Sequence, residues 1–186
     1  MIQLTESMID GALSRIDTGL KKYCWIQDNV HVRDVSQDHV FQNKFNAFYK
    51  VRRSSEWRRH FYTLLESSKA NGITFAHALH VLLEKTSKLE ASFASKLVAT
   101  LHPGKPVIDQ HVFRNFGLRL PSCKNREHRC VACVACYERL CENYVALMKS
   151  AEGTVIREKF NSLFPWAKIT DLKKLDLVLW QIRSGE

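Results

Sequence analysis

Asp109 stands in the segment Pro106-Val107-Ile108-Asp109-Gln110-His111-Val112, just after the loop signal His102-Pro103-Gly104. A proline cannot sit inside a helix and holds the residue before it extended, so an acid here falls at or near the first turn of a new helix. One role is structural: the carboxylate caps backbone N–H groups, worth about 1 kcal/mol. The other is chemical, because a carboxylate projecting from a loop–helix junction can stabilise a developing cation or orient a water. Spacing alone leaves both open.

The densest positive stretch runs Lys50-Val-Arg52-Arg53-Ser-Ser-Glu-Trp57-Arg58-Arg59-His60. Cations at Arg52, Arg53, Arg58 and Arg59 suit phosphate contacts, and Trp57 supplies a ring on which a base can stack. The plain alternative is a solvated helix face with Trp57 in the core, since Trp57 follows the apolar stripe and the arginines do not. Cys130, Cys133, Cys136 and Cys141 crowd together, with Cys123 just before them. They follow the apolar rhythm of one helix, which favours packing as small hydrophobes over a metal ligand set, and no metal is expected. His77, His80, His102 and His111 lack a ligand pattern, and no cofactor motif is present, so no cofactor is expected.

The elements that must position these residues are helices. Gly and Pro are scarce, with 7 and 4 in 186 residues, and 45% of the chain is hydrophobic. That argues for one all-α domain over residues 1–186 with about eight helices and little or no sheet. Apolar spacing predicts a helix over residues 3–24, a loop or short extended piece over 26–40, and helices over 39–50 and 54–67. Thr74 starts the next helix, another spans 90–101, and a further one restarts over Val107–Phe116. A long helix covers 125–150, and two more cover 154–163 and 170–182, the last opened by Thr170.

The net charge is +9 and the pI about 9.4, a field that attracts polyanions, with DNA the expected partner. No run long and apolar enough to span a membrane is seen, and the N-terminus lacks the charge and apolar core of a signal peptide. The six cysteines are therefore expected as reduced thiols in the cytoplasm.

Pro106-Val107-Ile108-Asp109-Gln110-His111-Val112 resembles the Pro-Val-Asp-x-His-Val stretch of the helix-hairpin-helix DNA glycosylases, which include endonuclease III and the 8-oxoguanine glycosylases. The segment is similar also to bacterial proteins with a Ser-Lys…Pro…Pro-Ile-x-Asp pattern, some grouped with the 8-oxoguanine glycosylase fold. The match covers residues 86–118. It implies an all-helical glycosylase-like fold, DNA as partner, and Asp109 as the catalytic acid. The family's hairpin is normally Leu-Pro-Gly-x-Gly, but no glycine lies between Gly72 and Gly104. Thr86, Ser87 and Lys88 would then contact the phosphate through side chains.

The family's lysine nucleophile, at the end of that hairpin, is replaced here by Glu90-Ala91; neither Lys88 nor Lys96 stands at the family interval, and Lys96 is the first amine to test in its stead. The simpler implication is monofunctional hydrolysis of an N-glycosidic bond, with Trp57 or Phe113 stacking on the extruded base. The cysteines begin the spacing of the family's iron–sulfur loop without completing it, and they lie too close to Asp109. Two other classes remain: a nucleic-acid-binding module without catalysis on the same fold, and a helical partner-binding protein whose charge serves solubility.

Overall fold

A computed structural model describes residues 3–183. Ten helices and no strand are present among these residues: α1 (Glu6–Leu13), α2 (Asp17–Val30), α3 (His39–Tyr49), α4 (Ser55–Ser67), α5 (Phe75–Thr86), α6 (Ala91–Leu101), α7 (Gln110–Asn115), α8 (Arg126–Lys149), α9 (Ala151–Leu163) and α10 (Asp171–Gln181). The all-α expectation holds, but about eight helices was too few. The segment expected as one helix over 3–24 is two. After Leu13 the backbone tightens, with Arg15 N–H bonded to Ala12 O and Ile16 N–H to Leu13 O. This step lets both Leu13 and Ile16 reach the core.

The stretch expected as a loop over 26–40 is partly helical. Leu20, Tyr23, Ile26 and Val30 keep a buried three-to-four spacing through polar neighbours, so α2 runs to Val30. Conversely, the helix expected from Val107 begins only at Gln110. Thr74 and Thr170 cap α5 and α10 as anticipated, each accepting the N–H three residues on.

Two helices lie inside the molecule. Every residue of α10 from Leu172 to Leu179 is buried, charged ones included, and α10 packs against α1, α7, α8 and α9. α6 is buried at Phe93–Ser95 and Leu97–Leu101 and packs against α5 and α2. Helices that bury most of their circumference are wrapped by others, so charges placed on them face protein rather than water. α5 and α6 form a helical hairpin joined through Ser87–Glu90, and Ser87 closes α5 in the left-handed conformation, φ 56°. No helix among the described residues is long and apolar enough to cross a membrane.

Candidate functional site

Asp109 is placed by a strap, residues 102–109, that side chains pin to its neighbours. Tyr137 donates to Pro106 O at 3.1 Å, and Thr170 to Pro103 O at 2.7 Å. From α6, Ser92 donates to Ile108 O and Ser95 accepts from Ile108 N–H, both at 2.8 Å. With its carbonyl turned to Ser92 and its amide to Ser95, Ile108 is held to α6 outside the helix, and α7 starts late. Asp109 is the N-cap of α7, its Oδ1 accepting the His111 N–H at 2.7 Å. The structural role is therefore filled, and the same side chain also lines a pocket.

That pocket is walled by Phe48 and Tyr49 of α3, Lys96 of α6, Asp109, and Lys173, Asp176 and Trp180 of α10. Lys96 and Asp109 thus come together across the strap. The Lys96 ammonium donates to Ser92 Oγ at 2.8 Å and lies 4.8 Å from the Phe93 ring centroid. Burial pushes its pKa down to about 8; Asp109 and Glu90 act against this, and Arg53 adds to it. At pH 7 on the order of a tenth of this amine is neutral, which makes it a nucleophile as well as a cation. The cavity is ≈ 20 Å³, room for one water and not for a base.

Behind it sits a buried ion pair, Lys173 Nζ to Asp176 Oδ2 at 2.6 Å, with Tyr144 donating to the other carboxylate oxygen at 2.7 Å. Burial works against the Lys173 charge, but Asp176, Tyr49 and Tyr23 together hold the ammonium above its ordinary range. Burial, and then the adjoining Asp176 carboxylate, raise the Tyr144 phenol. From the sequence alone Asp176 and Trp180 are expected only to pack, and Lys173 is not singled out. Their signal was three charges, Lys173, Lys174 and Asp176, inside the otherwise apolar run from Leu172 to Trp180. Trp57 and Phe113, the rings expected beside a base, are buried elsewhere; Phe48 and Trp180 line the pocket instead, their rings edge to face at 5.4 Å.

The basic residues make a second site, a groove of ≈ 420 Å³ between the start of α4 and the end of α5. Arg52, Arg53, Trp57, Thr86, Ser87 and Lys88 all line it, joined by His60 and Lys85, with Glu56 as its one acid. Arg58 and Arg59 do not line it; one and two steps past Trp57, they turn off its face of the helix. Trp57 is only 6% exposed and stacks on Phe61 at 5.3 Å. Arg53 is committed to Glu90, with two bonds of 3.0 Å, and its guanidinium lies 4.9 Å from the Phe93 centroid. Phe93 thereby touches both sites, Arg53 from the groove and Lys96 from the pocket.

Cys133 is buried on α8, with Cys130, Cys136 and Cys141 partly so and Cys123 exposed. Burial raises the Cys133 thiol to about 11, with the neighbouring thiols adding to it. All four helical cysteines pack on the core. No group of three or more His, Cys, Asp or Glu side chains among the described residues is arranged to hold a metal ion. Compared with known protein families, curated proteins and solved structures, the chain matches none of them.

Proposed function

We propose that this protein binds DNA through the Arg52–Lys88 groove and hydrolyses the N-glycosidic bond of a damaged base, in the manner of helix-hairpin-helix glycosylases. The observation that carries the reading is the meeting of Asp109 and Lys96 in one pocket, linked through Phe93 to the basic groove. The α5–α6 hairpin supports it as well, because Ser87 adopts there the left-handed conformation that a hairpin glycine would take.

In this reading Thr86, Ser87 and Lys88 hold a phosphate, and the Asp109 carboxylate stabilises the oxocarbenium-like sugar or orients a water. Lys96 serves electrostatically in hydrolysis; as the neutral amine it would attack the sugar and give strand cleavage through a Schiff base. The protein works in the cytoplasm, where its thiols stay reduced.

A second reading, DNA binding without catalysis, is favoured by the ≈ 20 Å³ cavity and by the Arg53–Glu90 pair at the hairpin's end. One assay separates them: base release from duplexes carrying oxidised, alkylated or deaminated bases, with alkali to reveal abasic sites. Release that Asp109→Asn abolishes without weakening DNA binding supports hydrolysis. Binding with no release from any duplex leaves the second reading, and borohydride trapping at Lys96 tests the amine.

A further inference from the structure

At the opposite end of the α5–α6 hairpin from the groove lies a cleft of ≈ 500 Å³. Its floor is apolar, made by Ile73, Phe75, Val98 and Tyr137, with the Phe75 and Tyr137 rings stacked at 4.0 Å and 17°. Its rim carries His77, His102 and Lys105, and no carboxylate lines it. The imidazole at the mouth is held by the turn before α5. Gly72 has φ +69°, and a Cβ there would stand 2.9 Å from His102 Nε2. Only a residue without a side chain lets the ring lie over the turn. Lys105 follows on the same strap, its N–H bonded to His102 O at 2.9 Å.

An apolar floor of rings and aliphatic side chains, beneath a rim with three nitrogen bases and no acid, suits a ligand that is flat and apolar at one end and anionic at the other. Cations are disfavoured by the rim. The volume lies within the range of small-molecule sites, and the overall charge of +9 draws anions toward it. We propose that this cleft is a nucleotide site, with the heterocycle against Ile73 and Val98 and the phosphate at His77, His102 and Lys105. The same chemistry reaches it from a free mononucleotide or from one nucleotide of a single strand. The site is separate from the groove, since the two share no lining residue.

The test is titration of the ¹⁵N-labelled protein with adenosine 5′-monophosphate, adenosine, inorganic phosphate and a short oligodeoxyadenylate, following amide shifts. Saturable shifts confined to residues 71–77 and 102–105 are expected with the mononucleotide, and Lys105→Glu, an exposed position, should weaken binding at least about fivefold. Adenosine and phosphate alone should each bind more weakly than the two joined. Shifts of these residues with the oligonucleotide but not the monophosphate identify a strand as the source. Arg52→Glu with Lys88→Glu, in the groove, should leave this binding unchanged. The proposal is overturned if neither nucleotide probe moves these amides at millimolar concentration, or if the shifts fall only at 52–60 and 85–88. Unaltered binding by Lys105→Glu overturns it equally.

Discussion

The pocket at Asp109 and the groove at Arg52 are both rich in charge, and they handle it in opposite ways. In the pocket each charge has an internal answer: Lys173 is bonded to Asp176, Asp176 also takes the Tyr144 hydroxyl, and Lys96 is bonded to Ser92. In the groove Arg52, Lys85 and Lys88 are exposed and pair with no carboxylate among the described residues. Burial is the cause of the difference, because an unpaired charge out of water costs several kcal/mol, whereas one in water costs nothing to leave open. Arg53 shows the rule within the groove itself: it is the lining cation that reaches the buried Glu90, and it is the one that is tied. Unpaired exposed cations are what a mobile polyanion needs; paired buried ones hold a geometry.

The largest expected effect breaks the pocket's balance. Lys173→Met leaves the Asp176 carboxylate buried with only Tyr144 and should cost about 3–5 kcal/mol in denaturant unfolding. Lys173→Met combined with Asp176→Leu should recover most of that loss; a single variant as stable as the double would end the argument from pairing. Next, Asp109→Asn should slow base release by about a hundredfold or more while the melting temperature barely moves, because the amide oxygen still caps the His111 N–H. A large fall in melting temperature with release intact would assign Asp109 to capping alone.

The groove should respond in binding rather than stability. Arg52→Glu and Lys88→Glu should each flatten the dependence of DNA affinity on salt, by about one unit of log slope for every phosphate left without its cation. Arg53→Ala should instead lower stability by about 1–3 kcal/mol, by stranding Glu90, and leave the slope alone. The smallest effect is the pH dependence of Lys96. Its folded pKa of about 8 lies below the ordinary lysine value, so the unfolded chain binds more protons between those two values. Its contribution to stability therefore improves as pH rises through that window, and the advantage of Lys96→Met over wild type should shrink from pH 7 to pH 10. An advantage constant across the range would show that burial does not act on the charge.

Helix type and most helix starts were legible, because Thr74 and Thr170 announce themselves by chemistry local to a few residues. The break after Leu13 was not, since no proline or glycine marks it and it follows from where Leu13 and Ile16 must pack. The late start of α7 depends on Ser92 and Ser95, whose hold on Ile108 spans two elements and leaves no periodic trace. Asp109 and Lys96 could be singled out as residues, but not as neighbours. Lys173 and Asp176 were readable as charges on an apolar helix, and their place at the pocket came only with the fold, which brings α10 to the same cavity as Phe48 and Tyr49 of α3 and Lys96 of α6. The basic run was legible as composition, whereas the split between Arg52, which faces the groove, and Arg58 and Arg59, which do not, is a matter of helix phase.

The clamp on Ile108 has a kinetic consequence. Its amide belongs to a connecting strap, yet it donates to the buried Ser95 hydroxyl at 2.8 Å, and the residue is only 3% exposed. A loop amide ordinarily exchanges its hydrogen with solvent through small local openings, but this one can do so only when the strap lifts from α6. Ile108 should exchange as slowly as the interior amides of α6, and Ser95→Ala should bring its rate up to that of the surrounding loop. Asp109, one residue on, is thereby anchored to a buried helix although no helix or strand leads up to it.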